Sequence, residues 1–159
     1  MNHILFHSRA KCDIGKFLSN PYPCKVETMD QIFHSVENAF QASKFIMTNK
    51  PEYFDKLVHV TPAEANKMGS KGGMTKLGAT LDLKKWKENR DEIMDCLIIS
   101  RYINNKDFQK TIDKLNADDI QLYHFERYGH KAYWGGAFNK NKTEFIGENK
   151  LGKIMMNLG

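Results

Sequence analysis

The sequence predicts one α+β domain over residues 1–159, mostly helical and carrying a small β-sheet. Two kinds of pattern support this. Stretches at 35–45, 61–69, 83–104 and 106–115 show helical spacing or helix-cap signals, whereas 3–7, 24–34 and 120–126 read as short strands. With 159 residues, four prolines and no low-complexity run, the chain fits a single sizeable core.

In chain order, His3 to His7 encloses the apolar run Ile4-Leu5-Phe6 and reads as a short buried strand. It is too short for a signal peptide or a membrane span, so a soluble cytoplasmic protein is expected. Residues 13–24 carry one glycine and two prolines and are expected to form a loop. Cys24 to Glu27 and Gln31 to His34 then read as a hairpin around Thr28-Met29-Asp30.

Residues 35–45 follow as a helix, with Ser35 placed to cap its first turn. At about 100° per residue, Glu37, Gln41 and Lys44 fall within roughly a 60° stripe. Phe33, Val36, Ala39, Phe40, Ala42, Phe45, Ile46 and Met47 cover most of the remaining circumference. A helix apolar nearly all round is buried, and a narrow polar stripe on it faces partners, trapped water or a ligand cleft. The plainer alternative is a surface pair, Glu37 with Lys44.

A short helix is expected at 52–57. The next is marked by Thr61 as N-cap, Pro62 in the first helical position, Glu64 completing a capping box and Gly69 at the end. The segment 69–73 is either a helix C-cap with a flexible loop or a cradle of backbone amides for phosphate; it lacks the Gly-Lys-Ser/Thr of a Walker sequence. Leu83 to Asn104 is the longest helix, with Trp86, Ile93, Leu97 and Tyr102 near core spacing and Arg90 four after Trp86. Lys106 to Leu115 is another helix, and 120–126 alternates like a half-buried strand. In the last helix Leu151, Ile154 and Met155 supply a buried face, and Gly152 permits close approach.

A formal charge of +5 suits a polyanionic partner, nucleic acid or a phosphorylated ligand, although its scatter also fits an ordinary lysine-rich surface. The three cysteines, Cys12, Cys24 and Cys96, are odd in number and widely spaced, which favours free thiols in a reducing compartment. His3 and His7 flank a buried strand without an acidic ligand nearby, so no metal is expected.

The run Ser-Val-Glu-Asn-Ala-Phe-Gln-Ala-Ser-Lys-Phe from Ser35 to Phe45 resembles the signature helix of the NADAR superfamily, also called YbiA-like proteins. Phe17 to Pro23 is similar to the family's Phe-x-Ser-Asn-Phe-x-x-x-Pro, with Pro21 where an aromatic is usual and Tyr22 one place later. Ala65 and Gly69 match Ala-x-x-x-Gly. Trp86, Arg90 and Met94 match Trp-x-x-x-Arg-x-x-x-Met, with Lys84 or Lys85 standing for an arginine usually found before the tryptophan. Tyr133-Trp134-Gly135 resembles the second signature, and Gly147 to Gly152 the Gly-x-Asn-x-Leu-Gly that starts the last helix. Two departures stand out: Gly136 replaces a common acidic residue, and the loop 137–146 is longer and richer in Asn and Lys than in bacterial relatives.

The resemblance implies a YbiA-like α+β fold and cleavage of an N-glycosidic bond. Two substrate classes are known for the family: ADP-ribose on guanine in nucleic acid, and a phosphoribosylated riboflavin-pathway intermediate. Breaking a ribosyl C–N bond develops positive charge on the sugar, which a carboxylate stabilises. Glu37, with first-turn amide dipoles pointing at it, is the candidate for stabiliser or base. Lys44 is the second catalytic candidate. As an ammonium it anchors phosphate or protonates the leaving base; as a neutral amine it forms a Schiff base with the opened sugar.

Gln41 is expected to orient ribose hydroxyls or water, and Asn20 and Asn149 to make polar contacts. Trp134 and Trp86 are candidates for stacking and Arg90 for pairing with phosphate, the alternative being that Trp86 is core and Arg90 a salt-bridge partner. Ser35, Gly69, Tyr133 and Gly135 complete the expected binding set by their places in the motifs. The basic surface and the enlarged loop favour ADP-ribosylated nucleic acid, or an ADP-ribose-like nucleotide, as partner. A non-catalytic module binding NAD or ADP-ribose is the alternative of another class. No cofactor, metal or membrane partner is expected, and oligomeric state is left open.

Overall fold

A computed structural model describes residues 2–127 and 132–159. The chain gathers into two compact units, one formed by Met1–Tyr22 with Lys106–Gly159 and the other by Pro23–Asn105. Helices dominate and the strands are short, in keeping with the expected α+β class. The β structure is small, as expected: among the described residues the strands form three two-stranded pairs.

In the central unit, β2 (Val26–Thr28) and β3 (Gln31–Phe33) form an antiparallel hairpin, Val26 opposite Phe33. Its turn is tighter than expected: Met29 and Asp30, at φ 49° and 61°, make a two-residue left-handed turn whose twist matches that of the strands. The helices are α2 (Val36–Phe45), α3 (Tyr53–Lys56), α4 (Pro62–Gly69), α5 (Lys71–Lys76) and α6 (Leu83–Asn104). Ser35, Thr61 and Asp82 each cap their helix by accepting a backbone N–H, from Asn38, Glu64 and Lys85 respectively.

Helix α2 packs against α3, α4, α6 and the hairpin. Val36, Ala39, Phe40, Ala42 and Phe45 are buried, as the almost continuous apolar circumference predicts. Asn38 shares this interior and donates to the carbonyls of Leu57 (2.9 Å) and Val60 (2.8 Å), which ties the segment after α3 to α2. The expected loop at 69–73 is a correction. Ser70 takes an extended conformation that ends α4, and its hydroxyl accepts the Gly73 N–H to start α5. A Cβ on Gly73 would lie 1.9 Å from the Lys67 carbonyl, so this glycine allows the tight helix-to-helix turn.

In the other unit, β1 (His3–Phe6) runs parallel to β4 (Gln121–His124), Ile4 beside Leu122. The expected loop after β1 contains α1 (Asp13–Phe17), a second correction. A Cβ on Gly15 would stand 2.9 Å from the Leu5 carbonyl, so the glycine read as a breaker serves a close helix–strand contact. Helices α7 (Lys106–Ala117) and α8 (Lys150–Met156) pack together, and α8 lies against β4. The expected loop at 137–146 is a hairpin of β5 (Ala137–Phe138) and β6 (Phe145–Ile146), a third correction. Its cause is aromatic: Phe145 stacks on Tyr123 at 4.4 Å between centroids, and Phe138 meets both rings edge-on. A Cβ on Gly136 would lie 2.2 Å from the Ile146 carbonyl, so the residue that departs from the family pattern has no room for a side chain.

His124 ends β4 with its ring against Phe6 at 5.2 Å and its Nδ1 3.8 Å from Glu126 Oε1. Burial, with His7 nearby, lowers its pKa from 6.5 to about 4. Unfolded His124 therefore takes up a proton between pH 6.5 and 4 that the folded protein refuses, and stability falls as pH drops through that window. His7, lowered by burial and then by Arg9, works in the same direction. Glu126 works against it, because burial raises its carboxyl while N–H groups of Gly135 and Trp134 lower it. The His124 contribution is about 2 kcal/mol between pH 7 and 5. Unfolding free energies from urea titrations at those two pH values are expected to differ by that amount more in wild type than in His124→Gln, and equal differences would refute the assignment.

Candidate functional site

The polar stripe of α2 meets α4. Ala65 and Gly69, four apart and both buried, give α4 a smooth face that lets α2 come close. The Gln41 side chain lies flat on that face: a Cβ on Gly69 would be 1.9 Å from its Oε1. So placed, Gln41 donates from Nε2 to Glu37 Oε1 at 2.9 Å, and Asn66 of α4 donates from Nδ2 to the same oxygen at 2.9 Å. Glu37 is half-buried, and its Oε2 accepts no hydrogen bond among the described residues. The carboxylate is thus oriented through one oxygen, with the other available.

Lys44, two turns along, donates from Nζ to the Gly69 carbonyl at 3.0 Å. Burial lowers its pKa from 10.5, an effect the Glu37 charge only partly offsets. Glu37 is bonded to amides and Lys44 to a carbonyl, which replaces the alternative of a plain surface ion pair. Gly69 serves both partners, since its bare Cα seats Gln41 and its carbonyl holds Lys44.

Beyond Lys44 opens a cleft of about 580 Å³. Lys44, Gly69, Lys71, Met74, Leu81, Trp86 and Arg90 are among its lining residues. Trp86 is buried against Phe40, 5.1 Å between ring centroids, and its ring centroid is 5.5 Å from Lys44 Nζ. It is core and cleft wall at once. Arg90, one turn further along α6, lies on the same wall.

The remaining expected residues lie in the other unit. The carbonyls of Ala132, Tyr133, Trp134 and Gly135 accept the N–H groups of Glu148, Lys150, Leu151 and Asn149 respectively. Tyr-Trp-Gly thus satisfies the otherwise unpaired first amides of α8, which is why it accompanies Gly-x-Asn-x-Leu-Gly. Tyr133 and Trp134 meet edge-on at 5.0 Å, and Lys150 Nζ sits 4.7 Å from the Tyr133 centroid. A Cβ on Gly135 would be 2.2 Å from the His124 carbonyl. Asn20 is 8% exposed, in the segment after α1.

Two expected binding residues are tied into the fold by their own hydrogen bonds. Ser35 is fully buried, its hydroxyl accepting from Asn38 N–H and donating to Asn38 Oδ1. Asn149 is also buried, its amide spanning the His124 N–H (3.0 Å) and the Leu122 carbonyl (2.9 Å). Conversely, sequence reasoning missed Asn66 and Lys71. Both flank Gly69 closely, and the one available signal was that the Ala-x-x-x-Gly pattern must face the α2 stripe.

No three His, Cys, Asp or Glu side chains gather as a metal site among the described residues, and none of the described helices is long and apolar enough to cross a membrane. No curated protein matches the chain. The NMR structure of Escherichia coli YbiA is similar to it, with a TM-score of 0.69 and 19% identity over 98% of this chain and 85% of that one, which shows the fold. The sequence profile of the NADAR domain matches residues 5–158. That match takes in the α2 stripe, the α4 pattern and the docked start of α8, and the chain belongs to the NADAR family.

Proposed function

We propose that this protein is an N-glycosidase that hydrolyses the bond between ADP-ribose and guanine in nucleic acid. Membership of the NADAR family supports an N-glycosidase-type activity. The observation that carries the reading is Glu37, whose carboxylate is held by two amides on one oxygen while the other oxygen is open. The net charge of +5 and the cations around the cleft support a phosphorylated, nucleic-acid-borne substrate.

In the reaction, the bond between the anomeric carbon and the base nitrogen breaks and its electron pair goes to the base. Glu37 Oε2 faces the positive charge that develops on the sugar, and Glu37 takes the proton of the water that bonds to the anomeric carbon. Gln41 and Asn66 keep the carboxylate from turning away. Lys44, partly buried, gives a proton to the departing base, and its lowered pKa makes it a better donor than an ordinary lysine.

This assigns a sign to the pH profile. Activity falls as pH rises through the lowered Lys44 pKa, so the descending limb of kcat/KM lies below 10.5. Lys44→Arg and Lys44→Met are both expected to lose about a hundredfold or more in rate, because a guanidinium does not release its proton and a thioether has none to give. Release of ADP-ribose from an oligonucleotide carrying ADP-ribosyl-guanine, followed by chromatography, tests both points. Full activity in Lys44→Arg would reduce Lys44 to a charge anchor.

A further inference from the structure

We infer that the groove between the C-terminal end of α2, the β2–β3 turn and α6 docks a basic amphipathic helix of a partner protein. The groove encloses about 360 Å³ and shares no lining residue with the cleft beside Lys44. Ile46 and Met47 line it from the end of α2, Met29 from the turn, and Ile93 and Cys96 from α6. An apolar face continues from it along α6. Asn89, Glu92, Cys96, Ile99 and Ile103 follow one another at spacings of three and four, the seam that one helix offers another. From Asn89 to Ile103 the seam is about 21 Å long, room for roughly four turns of a partner helix. Ile103 is 68% exposed, Met29 60% and Ile99 38%. Met29 also sits at φ 49°, a turn position where Asn or Gly is usual, so the chain holds an apolar side chain at a strained and exposed place.

Charge names the occupant. Asp30 beside Met29, and Glu92 and Asp95 on α6, are exposed and form no ion pair among the described residues. Nearby, Lys25 is already paired with Glu27 at 3.0 Å, and the cation on the line of the seam, Lys85, lies two turns before Glu92. The face is therefore acidic on a protein whose net charge is +5. It repels nucleic acid and anionic lipid, whereas lysines or arginines flanking an apolar stripe complement it. Paired with itself in a second copy, the face would bring carboxylates from both sides. Burial, then the charges of Asp95 and Glu92, raises the Cys96 thiol, so this cysteine adds packing surface and not a reactive thiolate.

Fluorescence anisotropy of a labelled helical peptide of leucine, lysine and alanine, with its leucines on one face, tests this. The same peptide with glutamate for lysine is the charge control. The basic peptide is expected to bind wild type saturably in the micromolar range, against the repulsion of two net positive charges. Ile103→Ser, and Glu92→Gln combined with Asp95→Asn, are each expected to weaken binding about tenfold, through lost apolar contact and lost charge pairing respectively. All three positions are exposed, so the melting temperatures are expected to stay within roughly 2 °C of wild type. Absence of saturable binding, equal or tighter binding of the acidic peptide, or unchanged affinity in both variants would each overturn the inference. So would a wild-type dimer in sedimentation equilibrium that Ile103→Ser dissolves, because the occupant would then be a second copy. None of these residues takes part in the proposed reaction, so the outcome is independent of it.

Discussion

Glu37→Gln is expected to lower the single-turnover rate of deglycosylation by about a thousandfold while shifting the melting temperature by roughly 2 °C or less. The substitution keeps size and shape, and the new amide oxygen still accepts from Gln41 Nε2 or Asn66 Nδ2, so the local hydrogen bonds survive in part. What disappears is the negative charge facing the sugar, together with the ability to take a proton from water. Loss of either is worth about two to three orders of magnitude in comparable sites. Rapid-quench assays of the two proteins at saturating enzyme separate the chemical step from binding. A variant within about tenfold of wild type would remove Glu37 from the chemistry.

Gly152→Ala carries the largest expected effect on stability, a loss of about 4 kcal/mol. A Cβ there would sit 2.2 Å from the Leu122 carbonyl and 2.5 Å from both ends of the Asn149 amide. The backbone of α8 and β4 must separate, and the Asn149 bonds to Leu122 and His124 go with that movement. The melting temperature is expected to fall by roughly 10 °C. Gly72→Ala in α5 is the control: beyond its two chain neighbours and the helix's own backbone, no atom lies within 4 Å of the position its methyl would take. The change is expected to be neutral or stabilising by up to about 1 kcal/mol. Similar melting temperatures for the two variants would show that α8 does not need the close approach.

Much of this architecture was legible because its causes are local. Ser35 and Thr61 announce their helices through hydroxyls within three residues of the amides they cap, and the apolar circumference of α2 forecast its burial. The Glu37, Gln41 and Lys44 stripe emerged from helical spacing alone, and the structure places α4 across it. The rest depends on contacts distant in sequence. Gly15 and Gly73 looked like breakers, yet each marks close packing on a backbone carbonyl from outside the residues beside it. The β5–β6 hairpin depends on Tyr123, more than a dozen residues away from its strands, to gather Phe138 and Phe145. Ser35 and Asn149 belong to motifs, and only the paths of their hydrogen bonds show them to be braces.

The most direct test of the central claim is the intact mass of an oligonucleotide carrying one ADP-ribosyl-guanine, followed over time with the wild-type protein. The account predicts loss of the whole ADP-ribosyl mass, return of the unmodified oligonucleotide and appearance of ADP-ribose in solution. An unchanged mass, or a product that keeps ribose or ribose phosphate on the guanine, would contradict it.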